Sequence, residues 1–160
     1  MNLPLSVLAI GANASTIGMV LLVHGELQYW QCSRAAAKSA DSAEATATEW
    51  IRSFKPDVVV TEKLDGSSRK SIRTQSVIRT IAGTATALGI VSVQVLRPRE
   101  HKNKYEEAVS LATRHPVIKP WLPARRFYDP EPKNVVLFEA LALAEAAGRN
   151  FAVRIATALG

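Results

Sequence analysis

The chain has 160 residues, 48% of them hydrophobic, with 20 Lys and Arg against 14 Asp and Glu, a formal charge of +6 and a pI of about 9.8. That length and hydrophobic share suffice for one folded domain with its own core and exclude wholesale disorder. The charge points to an anionic partner, nucleic acid before membrane. The single cysteine, Cys32, excludes an internal disulfide framework and suits a reducing compartment, here expected to be the cytoplasm.

Residues 5–10 and 17–24 are predicted as apolar strands around a loop of small polar residues, Gly11 to Thr16. The run 17–23 is far short of the ~20 residues needed to span a bilayer, and no basic leader precedes it, so no membrane contact is expected. His24-Gly25-Glu26 is short enough for a hairpin turn into a third strand at 27–32. An Ala-rich helix follows at 39–54, with Ala43, Ala47, Trp50 and Phe54 at helical spacing, and Lys55-Pro56-Asp57 breaks it. Val58-Val59-Val60-Thr61 is a continuous β-branched run, the pattern of a strand buried on both faces, and it ends at Glu62.

Residues 63–71 form a polar loop, and 72–88 a second helix with Ile78, Ile81, Ala82, Ala85 and Leu88 on one stripe. Residues 90–96 are another strand, and 105–113 a short helix. The stretch 116–132 holds five of the eight prolines and is expected to be irregular, a surface arm or an ordered loop. Residues 134–147 close the series as an apolar helix capped by Gly148. Three antiparallel strands followed by βαβ units give a mixed α/β sheet of five strands covered by helices, in a single domain spanning 1–160 with a Pro-rich basic arm at about 97–133.

Two glutamates stand out. Glu62 sits where a buried strand meets a loop, the place where open α/β sheets put functional groups, although a solvated strand-end glutamate fits equally. Glu139 has Val135, Val136, Ala142 and Leu143 as helical neighbours, so it projects from an apolar face and needs a metal, a cation or a proton. A magnesium site requires several oxygen ligands from different elements; Asp65, Asp129 and Glu131 are the candidates for a third, and Asn13 is either a neutral ligand or a turn residue. Cations cluster at Lys63, Arg69, Lys70, Arg73 and Arg79, and again from Arg97 to Lys133, including Lys102 and Lys104. Trp121, Phe127 and Tyr128 are interleaved with the second cluster. These aromatics either stack on bases or anchor the arm.

With these positions in hand, the chain resembles the RNase H-like superfamily and, within it, RuvC-type Holliday-junction resolvases over most of residues 5–148. The likeness rests on VLAIGANASTIGMVLL, PDVVVTE, SIRTQSVIRTIAGTATALGI with its following strand, and LFEALALAEAA. It implies a sheet in the order 3-2-1-4-5 with strand 2 antiparallel, phosphodiester hydrolysis by two Mg²⁺ or Mn²⁺ ions, DNA more than RNA as partner, and often a homodimer. Carried over by position, Glu62 matches the second catalytic acid and Glu139 the last. Gly11 stands where the family has its first aspartate, Gly18 matches the glycine seven residues later, and Val136 replaces a further acid.

A glycine supplies no ligand, and two carboxylates hold Mg²⁺ poorly, since the ion demands regular octahedral geometry. Three explanations stay open: a binding module that has lost cleavage, a site rebuilt with Asp129 or Glu131 as metal ligand, or an introduced change in an active enzyme. The leading expectation is a protein that binds branched or structured nucleic acid, with Lys63, Arg69, Lys70, Arg73, Lys102 and Lys104 on phosphates. The alternative is a non-catalytic structural or protein-interaction module on the same fold. An actin-like ATPase ranks last, because the chain has no room for a second lobe.

Overall fold

Five strands and four helices follow one another in a computed structural model that describes residues 6–66, 68–98, 101, 103–123 and 134–159. The strands are β1 (Ser6–Ala12), β2 (Ile17–Val23), β3 (Glu26–Ser33), β4 (Val58–Glu62) and β5 (Val91–Val95). The helices are α1 (Ala40–Phe54), α2 (Ile72–Ala87), α3 (Lys104–Arg114) and α4 (Val135–Leu159), with short 3-10 turns at Ala35–Lys38 and Pro116–Trp121. The sheet order is β3-β2-β1-β4-β5, with β2 antiparallel to its neighbours and β1, β4 and β5 parallel. The order expected from the resemblance is therefore the order observed.

Local chemistry explains the boundaries. His24 and Gly25 both take positive φ, as a two-residue hairpin turn matched to strand twist requires. Ser39 accepts the N–H of Ser42 and Ser71 that of Thr74, so each hydroxyl caps the start of its helix. Lys55 ends α1 in a left-handed conformation.

The pleat sorts each strand between two cores. Leu8, Ile10, Met19, Leu21 and Val59 face α1 and α2, packing with Trp50, Ile51, Ile78 and Ile81. Ala9, Val20, Val58, Val60 and Val95 face α3 and α4, packing with Leu111, Phe138, Leu141 and Leu143. A sheet covered on both faces explains why β1, β2 and β4 read as continuous apolar runs.

One expectation is corrected. Gly148 does not cap the last helix, which runs on to Leu159. A glycine ends a helix where the backbone turns left-handed; Gly148 does not, and in a helix interior it costs only about 1 kcal/mol. The helix expected at 105–113 is α3, which lies on α4, and within the stretch expected to be irregular Pro116–Trp121 forms a 3-10 turn whose Ile118 is fully buried in the core. Residues 124–133, which include Arg125, Arg126, Phe127, Tyr128, Asp129 and Glu131, lie outside the described residues, as do Arg99 and Lys102. No helix among the described residues is long and apolar enough to cross a membrane.

Candidate nucleic-acid groove

The pairing of β1 with β4 runs from Val7↔Val58 to Ala9↔Val60 and stops. Gly11 and Ala12 pair only on the other side, with Gly18 and Ile17 of β2. A crevice therefore opens between β1 and β4 at their C-terminal ends, where the strand order switches direction and where open α/β sheets bind ligands. The loop that follows β1 is stiffened by Asn13, whose Oδ1 accepts the N–H groups of Ser15 and Thr16 at 3.0 and 2.8 Å. Asn13 is thus a turn residue, and it takes no left-handed backbone.

Helix α4 closes one wall, and two glycines set its height. A Cβ on Gly11 would lie 3.2 Å from both Val136 O and Ala140 N and 3.4 Å from Glu139 Cγ. On Gly18 a Cβ would meet Val136 Cγ1 at 2.7 Å. Gly11 and Gly18 are cross-strand partners, so together they form a flat seat for the helix backbone. The position where the resemblance expects a first aspartate is therefore filled by the helix itself, and Val136 lies over Gly18 instead of offering an acid. Locally, the missing carboxylates and the close helix–sheet contact are one feature.

Glu62 and Glu139 are both brought to this crevice, 7% and 4% exposed. Buried carboxylates need compensation. It comes from Lys70, one of the expected phosphate contacts, whose Nζ donates to Glu139 Oε1 and to the carbonyl of Ala12 and lies 4.0 Å from Glu62 Oε1. A second pair lies beside it. Arg97 donates from Nη2 to Glu107 Oε1 at 3.3 Å, and Glu107 is also 7% exposed. Burial works to lower the Arg97 pKa, but the charges of Glu139, Glu107 and Glu62 outweigh it and hold the guanidinium more firmly protonated. Burial pushes the Glu107 carboxyl up, against the pull of Arg97, and the Glu139 charge adds to that rise.

Around this ionic floor runs a groove of about 970 Å³. Lys63, Arg69, Lys70 and Lys104 line it, together with His101, Asn103 and Asp65. The backbone N–H of Lys63 continues the β4–β5 ladder by donating to Val95 O at 2.7 Å, which fixes where its side chain starts. Arg73 is not in the groove; its Nη2 donates to Ala37 O at 3.3 Å. Arg79 lines an adjoining cavity of about 570 Å³ between α2 and the ends of β4 and β5, which shares Glu62 and Lys63 with the groove. Trp121 packs edge-on against Trp30, ring centroids 4.9 Å apart, which makes it an anchor for the chain after α3.

The donor set among the described residues does not fit a two-metal centre. Two carboxylates with an ammonium between them offer too few oxygens, and no group of three or more His, Cys, Asp or Glu among the described residues is arranged to hold a metal ion. Sequence reasoning missed Glu107. Of its neighbours three and four residues away, only Leu111 is apolar, so the signal that singled out Glu139 is nearly absent there.

No family model matches the sequence, and no curated protein does. Solved structures do match. Thermus thermophilus RuvC aligns with a TM-score of 0.63 at 17% identity, over 95% of this chain and 97% of its own. The T. thermophilus RuvC complex with Holliday junction substrate gives 0.64 at 16% identity, over 96% and 97%. Fowlpox virus resolvase with substrate Holliday junction DNA gives 0.62 at 9% identity, over 91% and 98%. The chain therefore has the RNase H-like fold of the RuvC-type resolvases, along nearly its whole length.

Proposed function

We propose that this chain binds branched or structured DNA in the groove at the strand ends and does not cut it by a two-metal route. The observation that carries this reading is the gathering of Lys63, Arg69 and Lys104 along one groove over the crevice of Glu62 and Glu139. Similar folds have been solved with Holliday junctions, which supports DNA as the polyanion and a junction as the first substrate to try. Cations spaced along a groove meet successive phosphates and release counterions, so binding should weaken steeply with salt. The expected homodimer belongs to the same proposal, because a twofold pair presents two copies of one groove to a twofold junction.

The test is fluorescence anisotropy with a four-way junction and a duplex of equal length, with and without chelator. Junction preference that survives chelator, with affinity for both DNAs lowered in Lys63→Glu and Arg69→Glu, supports the reading; equal, feeble binding to both DNAs at low salt sinks it. Incubation of junction and duplex with Mg²⁺ or Mn²⁺ should leave both intact, and sedimentation with and without junction reads the oligomeric state. The alternative, a protein-interaction module, draws on the four carboxylates in the same groove, Glu62, Asp65, Glu107 and Glu139. It predicts the feeble and unselective result.

A further inference from the structure

We infer that Lys70 is the resident cation of the crevice: its ammonium takes the place between Glu62, Glu139 and the Ala12 carbonyl that a divalent ion would need, and the chain loads no such ion there. An ammonium is a compact charge with three donors; it donates to a Glu139 oxygen and to the Ala12 carbonyl, and a second carboxylate, Glu62, lies within ion-pair distance at 4.0 Å. A metal ion on the same Glu139 oxygen would meet both the steric bulk and the like charge of Nζ.

The lysine is aimed. Its N–H donates to Ser68 Oγ at 3.4 Å, its carbonyl accepts from Gln75 Nε2 at 2.8 Å, and the next residue, Ser71, caps α2. The side chain therefore leaves the backbone from a fixed point at the start of a helix, over the crevice. Arg97 completes the balance from the other side, paired with Glu107 and in the field of Glu62 and Glu139. Gly11 and Val136 fit the same scheme. With α4 seated on the glycine pair, no carboxylate approaches from β1 or from the preceding turn of α4, and one ammonium with the nearby guanidinium is enough charge. The inference does not depend on DNA binding, which is measured separately in chelator.

The experiment is a Mn²⁺ titration of the intact chain followed by the resonance of free Mn²⁺, with thermal melts in parallel. The unaltered chain should bind no Mn²⁺ that Glu139→Gln removes, and its melting temperature should not move with metal. Lys70→Met, which keeps the stem and deletes the charge, should melt lower, bind one Mn²⁺, and regain a few degrees on adding it. Adding Glu139→Gln should abolish that gain. Saturable binding to the unaltered chain that Glu139→Gln removes would overturn the inference, as would a Lys70→Met chain that melts unchanged or takes up no Mn²⁺. If Lys70→Met fails to fold, the comparison of the unaltered chain with Glu139→Gln decides alone.

Discussion

Helix α4 carries two glutamates on its way through the protein, Glu139 and Glu145, and they are compensated in opposite ways. Glu145 is gripped by a fork: Arg114 donates from Nη2 to Oε1 at 2.7 Å and from Nε to Oε2 at 3.0 Å, and His115 Nε2 lies 2.8 Å from Oε2. The close partners come from the end of α3, with Arg149 of α4 itself at 4.0 Å, so the work of the cluster is to lock one helix on another. Glu139 is met by a single ammonium from the loop after β4, beside a second buried carboxylate and at the floor of a groove. The residue type, the helix and the need for a cation are shared. What separates a lock from a candidate site is position, because only Glu139 lies where β1 and β4 part.

The sharpest way to break that contrast is to remove each cation in turn. Deleting one partner of a buried pair leaves an uncompensated charge and costs about 3–5 kcal/mol. Lys70→Met should fall in that range by urea unfolding at neutral pH, because Glu62 and Glu139 would then lose the ammonium that lies between them. A loss below about 1 kcal/mol would rank the pair with ordinary surface ion pairs and erase the distinction. Next in size is Gly18→Ala. Its Cβ would press into Val136 Cγ1 and the α4 backbone, and overpacking of this kind costs about 1–3 kcal/mol. The substitution lifts the helix that carries both glutamates, so it should disturb Lys70 and Arg114 alike.

A third measurement uses pH. Burial alone would raise the Glu145 carboxyl, but the hydrogen bonds and charges of Arg114 and His115 outweigh it and hold its pKa below 4.5. A depressed carboxylate contributes stability above its unfolded value, and that contribution is lost as pH falls from 4.5 through the lower folded value. Glu145→Gln should therefore cost about 1–2 kcal/mol at neutral pH and progressively less in acid, seen as a flatter acid limb of the unfolding curve. Glu107 runs the other way. Its raised pKa means that its term is most favourable at low pH and weakens as pH rises past 4.5. An acid limb unchanged by Glu145→Gln would show that the fork at α3 is not holding the charge.

How much of this was legible follows from range. The strands and the two Ser-capped helices come from patterns within about ten residues, and the sequence carries those directly. The sheet order came from a resemblance between motifs, since nothing local in Val58–Glu62 says that β1 is its neighbour. Glu139 could be singled out because its own helix supplies the apolar surroundings. Its partner could not, because Lys70 lies 69 residues away and looks, in sequence, like one more cation in a basic loop. Gly11 was legible as a missing aspartate, yet its structural purpose was hidden: the close approach of Val136 and Ala140 exists only once α4 has packed. The same gap explains Arg73, which sits among groove cations in sequence and turns instead to the carbonyl of Ala37.

The smallest effect on folding is also the cleanest separation of groove from lock. Lys63 is exposed, stands at the end of β4 and lines the groove, whereas Arg73 is exposed and does not. Neither is in a core, so either change to alanine should alter stability by no more than about 0.5 kcal/mol. On DNA they should differ. A lysine that meets a phosphate contributes about one unit to the slope of log binding constant against log salt, and its loss weakens junction and duplex to similar degrees. Lys63→Ala should lower that slope by about one, and Arg73→Ala should leave it unchanged. Equal slopes for the two variants would mean that the polyanion, if it binds, lies elsewhere than over the crevice. A lowered slope for Arg73→Ala alone would move the contact surface from the strand ends to the outer side of α2, and the ionic cluster at Lys70 would then be a second lock.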